Sequence, residues 1–404
     1  MEREIVERKI QEAEKELDKE ITPIDFEALN QAIKGWLLIK DEGLIKVITG
    51  AVIANKLKAD PVWLFIVTAS GGTKTELIRG LSKVEGIYPL SDLTAQTFLS
   101  GDKNKKDASL LLRLPPNTIL TFKDFTTVLT MHRDKRHAIL SQLREIFDGH
   151  YKKLFGTGEV KEWQGKIGFI AGVTPIIETH FSVHATLGER FIQYRPSHSN
   201  VISLAKRAME ISGKEEQMRE EIQNAFKNYI MSRKIPPEPI LISEVVKDRI
   251  AHLSAFCVKA RSSVIRDGYS SREIELIPDS ELPTRLAKQL ITLLSAFLII
   301  DNGEFKEDSY NLICKIGMDT IPQRRKLAMD VLLKANDYLE TAEVAIKISY
   351  PTNTTRRILE ELQGLKLSER KHRGQGYADR WTISETAREF LEKAGYTHNV
   401  TPIT

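Results

Sequence analysis

The sequence predicts an α/β protein whose parallel sheet is flanked by helices, with N-terminal helices ahead of it and a long helical segment and a small mixed module behind it. Three observations carry this. Short β-like runs alternate with helical patterns between residues 60 and 200, the order that builds a parallel sheet through crossover helices. The first of those runs leads into a Gly-Gly turn, then Lys74-Thr75 and a helical pattern. After Pro196 the strand signal almost vanishes, and 240–335 reads as helix.

Size and composition suit this. At roughly 150 residues per domain, 404 residues correspond to two or three units. A chain with 41% hydrophobic and 28% charged residues buries sizeable cores, which excludes wholesale disorder. Lys+Arg 59 against Asp+Glu 55 leaves +4, which permits nucleic-acid binding without requiring it. Cys257 and Cys314 form no CxxC and no zinc spacing, as expected of a reducing compartment, so a cytoplasmic location is the expectation. The longest apolar stretch, Leu290 to Ile300, is about half of the ~20 residues a membrane span needs, and MEREIVERKI has no apolar signal region. Neither export nor membrane insertion is expected.

The elements follow in order. Residues 2–20 carry eight acids and five bases at helical spacing, a solvated helix that stays away from phosphates. From about Phe26 to Lys58, apolar residues recur every three or four positions, which predicts one or two amphipathic helices ending before Asp60-Pro61. WLFIVTAS from Trp63 is a short β-branched and aromatic run, suited to a strand buried on both faces. Further strands are expected at TILTF (118–122) and IGFIAGV (167–173), separated by the helical HAILSQLREIFDG and the hairpin-like HYKKLFGTGEVKEWQGK. A charged helical segment spans 201–235 and stops at Pro236-Pro237.

Chemistry enters at WLFIVTASGGTKTELI. Gly71, Gly72 and Thr73 precede Lys74 and Thr75 at the first turn of a helix. Free N–H groups and a partial positive charge gather there. Glycines let the backbone wrap close to phosphates, a lysine reaches the β- and γ-phosphates, and a threonine hydroxyl ligates Mg²⁺. ATP and Mg²⁺ are therefore the expected cofactors. Against GxxxxGK[ST] the run departs at Thr68 and Thr73, and the competing reading is a plain Gly-Gly turn with a solvated lysine. TILTFKDF ends in Asp124, suited either to the metal shell or to polarising the attacking water. Phe125 rather than Glu follows it, and Glu145 on the next helix is a reserve acid. Thr174 closes IGFIAGVTP, where its hydroxyl is a candidate γ-phosphate sensor from the strand between those of Lys74 and Asp124. LGERFIQYR supplies Arg190 and Arg195, candidates for an arginine offered to a neighbouring subunit's γ-phosphate.

In this order, TASGGTKT, TILTFKDF, a helix, a hairpin, IAGVTP and GERF resemble AAA+ ATPases of the pre-sensor-1 hairpin type, especially minichromosome-maintenance-like helicases. The resemblance spans about 60–395, and SAFCVKARSSVIRDGYSSREIELIPDSELPTRLAKQLITLLSAFLII is similar to the helical lid of that group. It implies a homo-oligomeric ring, expected as a hexamer, with Arg190 acting in trans and Arg285 of PTRL as a second γ-phosphate sensor. The hairpin would face the channel, making Lys152, Lys153, Lys161 and Lys166 candidate single-strand contacts. The corresponding division is an N-terminal helical segment at 1–58, the ATPase core at 59–200, helical insert and lid at 201–335, and a last domain at 336–396.

That last domain reads as TAEVAIKIS, a turn at Tyr350-Pro351, the helix NTTRRILEELQGLKL, and two short strands around Gly374 and Gly376, which resembles a winged helix. From Lys366 to Arg380 there are five bases and two acids, so excess charge concentrates there. Arg356 and Arg357 on the second helix, with Arg370, Lys371 and Arg373 in the wing, are the candidate duplex-DNA contacts. The alternative use of such a module is protein contact. The expected function is an ATP-driven DNA helicase or translocase acting as a ring, in replication of a cell, mobile element or virus. A second expectation is a nucleotide-controlled initiator, loader or transposition regulator that assembles on DNA without unwinding it, and a third is a winged-helix transcription regulator.

Overall fold

The computed structural model describes residues 21–71, 73–101, 109–180, 190–197, 200–268, 273–372, 374 and 377–396. The acidic segment 2–20, Gly72, Arg373 and Gly376 lie outside the described residues. Two helices come first. Helix α1 (Phe26–Trp36) is capped by the Asp25 carboxylate, which accepts from Ala28 N–H at 2.7 Å. Helix α2 (Gly43–Lys56) is buried at every residue from Leu44 to Asn55 except Lys46, as befits a helix packed on several sides. Asn55 closes the turn to the sheet, its Nδ2 donating to Ala51 and Val62 carbonyls while its Oδ1 accepts from Val62 N–H.

Strand β1 (Trp63–Val67) leads through a loop into α3 (Lys74–Gly80). Then follow β2 (Ile87–Leu90), α4 (Leu110–Arg113), β3 (Ile119–Phe122), α5 (Thr126–Leu129), α6 (Arg133–Phe147), the hairpin β4 (His150–Leu154) and β5 (Val160–Gln164), β6 (Gly168–Val173) and β7 (Phe191–Tyr194). Five of these strands form one sheet in the order β2-β3-β6-β1-β7, all parallel. As expected, β6 lies between β1 and β3. Every residue of β1, β3 and β6 is buried, the pattern of strands covered on both faces. Two strands of this sheet were not legible in the sequence: β2 is a partly exposed edge strand containing Pro89, tolerated because an edge N–H needs no ladder partner, and β7 is four residues inside LGERFIQYR.

The period of two in β1 divides the interior. Leu64 and Ile66 face α2, α3 and the later helices, whereas Trp63, Phe65 and Val67 face α6 and the hairpin. On the second side Phe65, Phe125, Phe169 and Phe191 meet ring to ring, Phe65 stacking on Phe191 at 3.8 Å between centroids. Each such buried aromatic side chain contributes roughly 1.5–3 kcal/mol relative to exposure.

Beyond the sheet come α7 (Val201–Glu210), α8 (Glu215–Met231), α9 (Glu244–Arg261), a short hairpin β8 (Ile265–Arg266) and β9 (Ile274–Leu276), α10 (Thr284–Ile300), α11 (Glu307–Asp319) and α12 (Gln323–Lys334). The chain ends in β10 (Leu339–Glu340), α13 (Thr341–Ile348), α14 (Thr352–Gly364), β11 (Ser368–Lys371), β12 (Arg380–Ile383) and α15 (Glu385–Lys393), with an antiparallel sheet ordered β10-β12-β11. This module is fastened to the helices before it. Glu361, 6% exposed on α14, accepts from Arg325 Nε of α12 at 3.0 Å and pairs with Arg266 Nε of the short hairpin at 3.5 Å. Arg325 also donates to the Ala260 and Ser262 carbonyls, and the Tyr310 hydroxyl donates to Ala394 O at 2.7 Å. One hydrophobic core consequently runs from Leu29 to Ala394.

Among the described residues no helix is long and apolar enough to cross a membrane, and no group of three or more His, Cys, Asp or Glu is placed to hold a metal ion.

Candidate phosphate-binding site

In an open parallel sheet, ligands bind beyond the carboxyl ends of the strands. Here β1, β3 and β6 end side by side and deliver Lys74, Asp124 and Thr174. The loop after β1 takes a positive φ of 80° at Gly71, a conformation that favours glycine. Gly72 lies outside the described residues. Lys74 opens α3 and is only 4% exposed. Its Nζ donates to the Thr68 carbonyl at 2.9 Å and the Ala69 carbonyl at 3.3 Å, folding back onto its own loop. Burial lowers the Lys74 pKa below the ordinary lysine value, and the charge of Asp124 opposes that shift. Among the described residues two carbonyls hold this buried ammonium, an arrangement able to meet an anion. Thr73 and Thr75, half-buried, flank it.

Asp124 is exposed just past β3, and its Oδ1 accepts from Thr126 N–H at 3.1 Å. Thr126 Oγ1 in turn accepts from Thr174 N–H at 3.0 Å and lies 3.1 Å from Thr174 Oγ1. The acid and the candidate sensor are thus joined through one residue that sequence reasoning passed over. Phe125 is fully buried in the aromatic cluster, which explains why no carboxylate follows Asp124. Glu145 is exposed on α6 and lines neither cavity described below.

Two cavities share Thr68, Pro196 and Ser197. One, about 30 Å³, is bounded by Leu38, Ile39, Lys40, Thr73, Lys74 and Leu204. The segment after α1 is held over it by Asp41, which accepts from the Tyr194 hydroxyl at 2.5 Å and Ser197 N–H at 2.8 Å. The other, about 270 Å³, is lined by Arg195, Lys315, Asp319, Gln323 and Lys326 among others. Asp319 is 1% exposed; burial would raise its pKa, but the ammonium groups of Lys326 and Lys315, at 2.6 and 2.7 Å, hold it down at about 2. Arg195 is occupied by Glu178 at 2.5 Å and by the Asp319 carbonyl at 3.0 Å. Leu38 to Asp41 carried no motif in the sequence, because their place at the loop arises from folding.

The two remaining arginines are committed elsewhere. Arg190, 7% exposed, pairs with Asp148 at 2.6 Å over the Phe147 ring, and Arg285 bonds Glu281 and lines neither cavity. The hairpin lysines are also engaged. Lys153 Nζ donates to the Ala95 and Leu99 carbonyls, Lys161 to Ser100 O at 2.7 Å, and both lie over Phe155. Lys166 donates to Leu57 O, and burial depresses its pKa to about 8. Lys152 remains 57% exposed beside Glu162. In the C-terminal module Arg356 pairs with Glu360, Arg370 with Asp379, and Lys371 lies over Tyr338. Arg357 is half-buried on α14, its carbonyl accepting from Arg266.

No family model matches this chain, and no curated protein matches it. Among solved structures it is similar to the A-form apo structure of the NrS-1 C-terminal region, with 11% identity over 90% of this chain and 77% of that one and a TM-score of 0.30. It is also similar to the active helicase Cch of SCCmec type IV, with 10% identity over 92% of this chain and 72% of that one and a TM-score of 0.37. The residues of the site, rather than either likeness, carry the functional reading.

Proposed function

We propose that the chain is an ATPase of the AAA+ type that assembles as a ring, expected to be a hexamer, and couples ATP hydrolysis to moving along or unwinding DNA. The observation that carries this is the buried Lys74 ammonium facing the strand ends, with Asp124 and Thr174 linked beside it. Phosphoryl transfer needs positioning and charge neutralisation above all, and these three groups, each following a different strand, supply both. Thr75 and Asp124 offer the hard oxygen donors that suit Mg²⁺, which supplies neutralisation of phosphate charge when bound. The segment 201–335 serves as helical insert and lid, and 336–396 as a winged helix whose Arg356, Arg357 and Lys371 meet duplex DNA. Lys152 is the hairpin lysine that supports a single-strand contact. Arg190 and Arg285 act on phosphate in this reading only after leaving Asp148 and Glu281.

The test is ATP hydrolysis with and without DNA, and strand displacement, in the wild type and Lys74→Ala. Wild-type activity that Lys74→Ala abolishes supports the reading; unchanged hydrolysis in Lys74→Ala removes it.

A second reading, a nucleotide-controlled initiator or loader that assembles on DNA without unwinding, is favoured by Phe125. With the residue after Asp124 given to the core, the water-polarising acid has to be Asp124 itself or come from elsewhere. ATP-dependent assembly on duplex DNA with no strand displacement would decide for it.

A further inference from the structure

We infer that Thr126 is a positioning residue that sets the direction in which the Thr174 hydroxyl donates while holding Asp124 in place. The inference rests on the ATPase reading above and deepens it. Three contacts converge on Thr126. Its N–H donates to Asp124 Oδ1 at 3.1 Å, its Oγ1 accepts from Thr174 N–H at 3.0 Å, and the two threonine hydroxyl oxygens are 3.1 Å apart. Because Asp124 and Thr174 come from different strands, a residue that bonds both fixes their relation.

Either threonine hydroxyl can be the donor between the two oxygens, and the assignment to Thr126 follows from what each choice leaves for the ligand. A hydroxyl has one hydrogen to donate and two lone pairs. Thr126 Oγ1 already accepts the Thr174 N–H, and among the described residues its own hydrogen can go to Thr174 Oγ1. With Thr126 donating, the Thr174 hydrogen is left free to point outward, at a phosphate oxygen beside Lys74. Reversed, Thr174 spends its only hydrogen inside the protein and has none for the ligand. Thr126 is half-buried at the start of α5, and the rest of that single turn anchors it, since Val128 and Leu129 are fully buried. A donor oriented before the ligand arrives acts where charge develops in the transition state, so its loss lowers kcat more than it raises KM.

The experiment uses the full chain with ATP and Mg²⁺, measuring steady-state kcat and KM and ADP affinity. Thr126→Val keeps the shape and removes the hydroxyl, whereas Thr126→Ser keeps the hydroxyl. The expected result is a kcat about tenfold or more lower in Thr126→Val, KM and ADP affinity within about twofold of wild type, and near wild-type kcat in Thr126→Ser. Thr174→Val is expected to match Thr126→Val, and the double variant to lose little more. Wild-type kcat in Thr126→Val, or an equal loss in Thr126→Ser, overturns the inference. Failure of the underlying reading shows separately, as a wild type without hydrolysis or one indifferent to Lys74→Ala; either overturns both.

Discussion

Gly172 lies directly against the side chain of Lys74: a Cβ built on Gly172 would sit 3.1 Å from Lys74 Cδ and 3.2 Å from Cε, and 2.6 Å from the Lys123 carbonyl. The lysine reaches the loop carbonyls by running along the face of β6 at Gly172, where no side chain stands in its way. The glycine therefore serves a residue on another element, the first residue of α3.

Gly172→Ala is expected to displace Lys74 and the chain leading to Asp124. Overpacking of this kind costs about 1–3 kcal/mol, read by chemical denaturation, and ATP affinity measured by titration is expected to fall about tenfold, each 1.4 kcal/mol being a factor of ten. Unchanged affinity would mean that Lys74 tolerates the methyl group.

Phe125→Glu is expected not to create a catalytic acid. The side chain is fully buried and touches Phe65, Phe122, Phe169 and Phe191. Placing a carboxylate there costs about 3–5 kcal/mol, both from lost packing and from an unpaired buried polar group. The variant should show a lower Tm and no gain in turnover.

Asp319 gives a pH dependence. Its carboxyl, ordinarily near 3.8, is held at about 2 in the fold by two lysines. The unfolded chain therefore binds the proton more readily, so this stabilisation is complete above about pH 4 and is lost as pH falls through about 2. Asp319→Asn leaves Lys315 and Lys326 without their counter-charge and should lose about 3–5 kcal/mol at pH 7. In urea titrations between pH 7 and pH 2, the gap between wild type and variant should narrow toward the acid end.

The basic side chains divide by what already holds them. Arg357→Ala should weaken DNA binding about three- to tenfold and reduce the salt slope by about one. Lys153→Ala and Lys161→Ala should instead loosen the β4–β5 hairpin, because these ammonium groups serve the Ala95, Leu99 and Ser100 carbonyls. Salt-dependent binding isotherms for the three variants check the division; an equal loss of DNA binding in all three would refute it.

Much of the sheet was legible because fully covered strands leave a local signature. WLFIV and GFIAGV are continuous apolar runs, ILTF is broken only by Thr121, and all are buried strands. The partly exposed edge strand at Ile87–Leu90 and the four-residue strand at Phe191–Tyr194 were not, since neither is long or uniformly apolar enough to separate from loop. Lys74 was legible from its spacing after two glycines. Thr126 and Gly172 were not, because what gives them meaning is a neighbour on a different element.

By itself, the sequence determined the alternation of strands and helices, the residue types gathered at the loop after β1, and the basic bias of the C-terminal module. All follow from local propensity, period and composition. Only the tertiary structure decided which charged groups are already paired. Arg190 with Asp148, Arg285 with Glu281, and Arg325 with Glu361 look like ordinary surface residues in one dimension. Their pairing depends on desolvation and on partners that folding alone brings within hydrogen-bond distance, and it separates a lysine held by two loop carbonyls from arginines paired with carboxylates.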